Sequence, residues 1–293
     1  MSVPAAYLSV ILIWTTTPLA IVWSSEGGDF LFAVAARMAL GSLVVMLLVA
    51  LLRVRLPWHR GARLTYVASG LGIFGAMTLV YWGAQRMPSG WVSVVFGLTP
   101  IVTGLMARRW LGTAPLAAGQ WLGMAMGVGG LAVMLLRPVG DAGFAASGVL
   151  AIVGSVLVHS ASAVWVKRLG SDVPGMAVTA GGLAIAVPLF VLLWWLDSPD
   201  GSLPEPAGRA WAAIAYLAVV GTGIGFALYF YVLRELDPVR VALITLVTPA
   251  SALWLGATVN AEPLDAWVLA GSGLIIAGLA AFQWTARVMK QRQ

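Results

Sequence analysis

Long apolar runs broken by short polar connections repeat along the whole chain. A helix crosses the hydrocarbon core of a bilayer in about 20 residues. Ten runs reach that length: 4–23, 31–52, 64–85, 91–110, 117–136, 146–168, 174–196, 209–232, 239–258 and 264–286. The pattern predicts an all-α polytopic membrane protein with ten transmembrane helices. The longest connection, Asp197 to Gly208, is rich in Pro, Gly and acids and reads as an exposed loop. The first run has no Lys or Arg before it and is long enough to cross, so it reads as a retained helix and not a cleavable signal.

The pattern also repeats internally. Trp91-Val92-Ser93-Val94-Val95-Phe96-Gly97-Leu98-Thr99-Pro100 has a counterpart in Arg240-Val241-Ala242-Leu243-Ile244-Thr245-Leu246-Val247-Thr248-Pro249. A shift of 149 positions sets Thr99-Pro100 on Thr248-Pro249 and Gly72 on Gly221. After a one-residue slip, Gly123 meets Gly271, Gly130 meets Gly278 and Pro115 meets Pro263. Each copy holds five spans, so the second copy enters the membrane from the opposite side. The chain thus divides into a first five-helix repeat, 1–143, and a second, inverted repeat, 144–293, with the boundary near Gly140 to Gly143.

Charge orients this arrangement. Thirteen of the 17 basic residues fall on one face: Arg53, Arg55, Arg60 and Arg63, then Arg108 and Arg109, Lys167 and Arg168, Arg234 and Arg240, and finally Arg287, Lys290 and Arg292. Arg86, Arg137 and Arg209 lie opposite, with the acids Glu26, Asp29, Asp197, Asp200, Glu205, Glu262 and Asp265. The positive-inside rule places both termini in the cytoplasm. Arg37, about two turns into the second span, is expected to snorkel to the outer interface.

Composition narrows the function. Charged residues make up 10% of the chain, against about 25% in soluble domains, and the mean hydropathy is +0.94. A net charge of +6 would suit nucleic acid, but these cations sit in short loops and set topology, so no nucleic-acid partner is expected. Cysteine is absent and only His59 and His159 are present, which leaves metal, cofactor or nucleophile–base chemistry without support. Gly221-Thr222-Gly223-Ile224-Gly225 looks like the start of a dinucleotide fingerprint, but it lies inside an apolar span with no strand before it.

Polar groups at membrane depth are few and informative. Phe74, Thr78, Tyr81 and Gln85 form one stripe on the third span. Ser93, Phe96, Pro100 and Thr103 share a face of the fourth; Ser155, His159 and Ser162 of the sixth; Thr222, Phe226 and Tyr229 of the eighth. Thr245 and Thr248 stand beside Pro249, and Trp14 and Thr17 beside Pro18. These stripes predict a central cavity. Its expected substrate-binding set is Trp14, Thr17, Phe74, Thr78, Tyr81, Phe96, His159, Ser162, Thr222, Phe226 and Thr248. Pro18, Pro100 and Pro249 are the expected helix breaks for gating.

Each feature also has a structural reading. Hydroxyls bond back to their own helix or join helices. Trp23, Trp58, Trp91, Trp110, Trp194, Trp195 and Trp211, near span ends, suit an interfacial belt. The row Gly119, Gly123, Gly127 suits close helix packing. The carbonyls of Phe96 and Thr245, freed by the prolines, either face substrate or accept from a hydroxyl. His159 is a neutral histidine bonded to Ser155, Ser162 or Trp14, a substrate contact, or a proton-carrying switch. With no Asp or Glu deep in a span, a facilitator or exchanger is favoured over a strongly ion-coupled pump.

Ten spans in two inverted halves with paired Thr-Pro motifs resemble the EamA-type members of the drug/metabolite transporter superfamily. Asn260-Ala261-Glu262-Pro263-Leu264, leading to Gly271 and Gly278, resembles that family's turn between its last two helices. The first half has Gly112-Thr113-Ala114-Pro115, without the acid, and Trp14 is followed by Thr15-Thr16-Thr17 where the family has Trp-Gly. The aromatic stripes make the chain similar to YddG-type exporters of aromatic amino acids. The resemblance implies a bacterial inner membrane, a small-molecule substrate such as an amino acid, and export by alternating access. A multidrug or other metabolite carrier of the same fold is the alternative, with a passive channel behind it. The oligomeric state is left open.

Overall fold

The computed structural model describes residues 1–112, 117–135, 146–169, 172–198, 204, 208–242, 244–262, 264 and 266–291. The expected repeat boundary at 140–143 lies outside them, as do Pro115, Arg137, Asp200, Glu205, Pro263, Asp265 and Arg292. Every regular element among the described residues is helical. In order these are α1 (Val3–Ser24), α2 (Phe30–Leu51), α3 (Arg60–Ala84), α4 (Ser89–Phe96), α5 (Thr99–Leu111), α6 (Ala118–Leu135), α7 (Ala146–Leu169), α8 (Gly175–Asp197) and α9 (Gly208–Tyr216). A π-helix (Leu217–Phe226) then runs into α10 (Ala227–Glu235), followed by α11 (Pro238–Ala242), α12 (Ile244–Val259) and α13 (Ala266–Gln291).

Among the described residues, seven stretches are long and apolar enough to cross a membrane: α1, α2, α3, α4 with α5, α7, α8, and α9 through α10. The remaining three expected spans coincide with α6, with α11 and α12, and with α13, all of them helical. Local chemistry fixes several ends. Asp29 caps α2 by accepting from the Leu31 and Phe32 amides. His59 Nδ1 accepts from the Ala62 amide at the start of α3. Gly112, at φ +67°, ends α5 in the left-handed conformation that glycine tolerates best.

Most of the larger helix–helix contacts recur when the two halves are exchanged. Let α1 swap with α7, α2 with α8, α3 with α9 through α10, α4 and α5 with α11 and α12, and α6 with α13. The α3–α7 packing then maps onto α1 against α9 and α10, and α5–α7 maps onto α1–α12. The α4–α12 contact maps onto α5–α11, while α2–α8 and α6–α13 map onto themselves. The glycines obey the same exchange. A methyl built on Gly123 would meet the Gly278 carbonyl oxygen, and one on Gly130 would meet the Gly271 carbonyl oxygen. With no side chain between them, the α6 and α13 backbones approach closely.

Two tryptophan and arginine expectations need correction. Trp91 is not a belt residue: only 1% of it is exposed, inside the core, whereas Trp58 and Trp195 are exposed. Arg37 does not snorkel. It too is only 1% exposed, because two hydroxyls from distant helices hold its guanidinium inward.

Candidate functional site

A small cavity of about 80 Å³ lies among helices of both halves. α1 contributes Trp14, Thr17, Pro18 and Ile21, one face over two turns. Pro18 has no amide hydrogen, so the Trp14 carbonyl loses its usual partner one turn back. Arg37 enters from α2, and Met77 and Val80 from α3. α4 supplies Val92, Ser93 and Phe96. The other half supplies His159 from α7, Phe226 from the π-helix, and Thr245 and Thr248 from α12.

Of the residues expected to bind substrate, Trp14, Thr17, Phe96, His159, Phe226 and Thr248 line this cavity, as does Pro18. The others do not. Phe74 packs edge-on against Phe190, with ring centroids 5.0 Å apart. Thr78 donates to its own helix at the Phe74 carbonyl, 2.8 Å. Ser162 donates to the Ala68 carbonyl at 3.0 Å and fills the space over Gly72, joining α7 to α3. A polar stripe in an apolar medium points to whichever neighbour satisfies it, and on α3 that neighbour is not the cavity.

Tyr81 and Thr222 stand behind the wall and hold one member of it. Arg37 Nε donates to Thr222 Oγ1 at 3.0 Å, and its Nη1 lies 3.5 Å from the Tyr81 hydroxyl. Ser24 Oγ approaches the same Tyr81 hydroxyl, also at 3.5 Å. One glycine of the dinucleotide-like run and one on α2 make this fit possible. A side chain at Gly221 would begin 3.1 Å from Arg37 Nη2, and a side chain at Gly41 would collide with Thr222. The ten-residue π-helix carries Thr222, and its wider turn is a device that recurs at functional sites. Arg37, Ser93 and Thr245 are lining residues that the expected set lacked. Ser93 and Thr245 stood on polar stripes in the sequence. Arg37 had only its depth in the second span as a signal.

The opposite end is aromatic. Tyr229 Oη and His159 Nε2 share a hydrogen bond of 3.2 Å. Trp14 meets the His159 ring edge-on at 5.7 Å and the Tyr229 ring at 5.2 Å, and Phe96 meets His159 at 6.2 Å. So His159 is bonded by Tyr229, not by Ser155, which donates to the Ala76 carbonyl, nor by Ser162. The freed Phe96 carbonyl accepts from Thr99 Oγ1 at 2.6 Å, and Thr245 Oγ1 donates to the Ala242 carbonyl at 2.7 Å.

Pro100 sits in the first turn of α5 and marks the break after α4. Pro249 lies within α12. A methyl built on Gly97, at that break, would touch the Pro249 ring at 3.8 Å. The two proline-bearing segments therefore meet beside the cavity. Glu262 accepts from the Ser89 and Gly90 amides and fixes the start of α4. Among the described residues no group of His, Asp and Glu is arranged to hold a metal ion.

Apolar, membrane-length helices around a shared, ring-lined cavity define a polytopic helical architecture of the kind that membrane carriers use. The EamA-like transporter family matches residues 3–136 and again 146–282, and the chain belongs to that family. It is similar to the "Uncharacterized inner membrane transporter YedA" of Escherichia coli strain K12, with 28% identity over 193 residues. That match takes in 66% of this chain and spans 61% of the relative's length. The "Probable terminal-alkyne amino-acid exporter" of Streptantibioticus cattleyicolor is 24% identical over 94% of this chain and 91% of its own. "Protein PecM" of Dickeya dadantii is 26% identical over 74% and 71%. A crystal structure sharing 23% identity has the same fold, with a TM-score of 0.72 over 98% of both chains.

Proposed function

We propose that this chain is an alternating-access carrier that exports small metabolites, amino acids including aromatic ones, across a bacterial inner membrane. The observation that carries the reading is a cavity lined by both halves, with Trp14, Phe96, Phe226 and His159 offering rings to an apolar group. The contacts that recur under exchange of the halves support ten spans in two inverted copies, 1–143 and 144–293, and loop charge supports cytoplasmic termini. Such copies give two states of similar energy, one open to each side. The breaks at Pro18, Pro100 and Pro249 let helices rock without exposing unpaired backbone to lipid. The name of the amino-acid exporter among the relatives favours the same substrate class. No carboxylate lines the cavity among the described residues, which favours a facilitator or exchanger.

The test is uptake of radiolabelled amino acids into liposomes holding the purified protein, without and then with a proton gradient. Saturable, competable uptake without a gradient is expected. Uptake only with the gradient would make His159 a proton carrier, and no uptake in either case would remove amino acids as substrates. A multidrug carrier would require lipophilic cations to compete. The guanidinium of Arg37 in the cavity wall opposes them.

A further inference from the structure

Arg37 is a fixed cation at membrane depth with no carboxylate partner among the described residues. A guanidinium carries five N–H donors. Here two of them meet protein acceptors, one Thr222 hydroxyl and one Tyr81 hydroxyl. Neither acceptor carries charge, and Arg37 lines the cavity. Burying an unpaired charge is unfavourable unless something completes it. Thr222 and Tyr81 fix the plane of the guanidinium, and its remaining N–H groups have no acceptor among the described residues. Gly221, having no side chain, leaves room for the guanidinium itself beside the π-helix.

We infer that Arg37 is the anchor for the carboxylate of the transported molecule, and that the cavity selects molecules with a carboxylate at one end and an apolar or aromatic group at the other. This rests on the carrier reading above and names its substrate class. The spacing fits. Trp14 and Ile21 both line the cavity, seven residues apart on α1, which is about 10 Å of helix. Ser24, one turn beyond Ile21, reaches Tyr81 at the Arg37 end, while Trp14 lies on His159 and Tyr229. The helix opposite repeats the order: Thr222 bonds Arg37, Phe226 lines the middle, and Tyr229 bonds His159. A guanidinium takes a carboxylate through two parallel N–H bonds. No acid in the described lining balances a substrate ammonium. The selection is therefore for the carboxylate, and a deaminated acid binds at least as well as the amino acid.

The experiment compares phenylalanine, its amide and its deaminated 2-oxo acid as ligands of the purified protein, and as competitors of uptake into liposomes. The amide lacks the carboxylate, and the 2-oxo acid lacks the ammonium. In the unmutated protein the two acids should outbind the amide by roughly 10- to 100-fold, with the 2-oxo acid no weaker than phenylalanine. Arg37→Gln should erase that preference, and Arg37→Lys should keep part of it. An amide that binds as well as the acids overturns the inference, and that ranking needs no variant to fold. If phenylalanine fails but the 2-oxo acid binds in an Arg37-dependent way, the anchor stands and the amino-acid reading falls. If all three bind equally and are transported, the carrier stands and the anchor falls. Binding of none of them overturns the anchor.

Discussion

At one end of the cavity Arg37 is gripped by the hydroxyls of Thr222 and Tyr81; at the other, Trp14, Tyr229, His159 and Phe96 lie ring against ring. The first end depends on direction. Each hydrogen bond has one donor and one acceptor, and the charge it holds is strong in a low-dielectric surrounding. The second end depends on area. Rings accept many shapes through edge and offset contacts, each worth about 0.5–1.5 kcal/mol. On the proposed carrier reading, such a cavity is strict about one functional group and tolerant of the rest. The difference gives each end its own signature under mutation.

The largest effect is expected at the directional end. Thr222→Val keeps the methyl that packs over Gly41 but removes the acceptor for Arg37 Nε. A hydrogen bond to a charged group contributes about 1.5–3 kcal/mol. Thermal unfolding in detergent should show a loss of about 2 kcal/mol, with Thr222→Ser close to the unmutated protein. Equal stability of the valine variant would mean that Nε has another partner. The aromatic end should respond differently. Trp14→Ala removes two ring contacts and should raise KM for aromatic substrates about five- to tenfold. It should leave the ratio of acid to amide binding unchanged, since Trp14 lies about 10 Å of helix from Ile21. A changed ratio would show that the two ends are coupled. Tyr229→Phe is subtler, removing only the hydroxyl that meets His159 Nε2. A neutral hydrogen bond is worth about 1 kcal/mol, so KM should rise about fivefold with expression unchanged.

The two ends also differ in how far the sequence revealed them. Trp14, Phe96, His159 and Phe226 were legible because large rings at helical spacing in mid-span have few other reasons to be there, and the structure brings them together. Arg37 was misread as snorkelling because nothing local to the second span shows its partners. Thr222 is 185 positions away and Tyr81 44. The all-helical character was legible from apolar length, and the Thr-Pro and glycine echoes pointed to the contacts that recur between α6 and α13. The facing of α3 was not. Its stripe of Phe74, Thr78 and Tyr81 is polar enough to suggest a lining, yet helix rotation is set by packing against α7 and α8. Met77 and Val80 face the cavity instead.

The smallest expected effect concerns the break between α4 and α5, which presents Phe96 to the cavity. Pro100 withholds the amide that would have bonded the Phe96 carbonyl, and Thr99 Oγ1 takes that carbonyl at 2.6 Å. The hydroxyl thus substitutes for the missing amide. Thr99→Val should leave the carbonyl without a protein donor, at a loss of about 0.5 kcal/mol, since water from the cavity can replace the hydroxyl. Turnover should then fall about twofold with KM unchanged. Pro100→Ala returns an amide, so the double variant should recover the stability lost in Thr99→Val. It should also turn over more slowly than the unmutated protein, because a continuous helix no longer breaks beside Pro249. Stability measured across this four-member cycle separates the roles. Recovery in the double variant assigns the carbonyl to Thr99, while additive losses would mean that Thr99 and Pro100 act on different parts of the break.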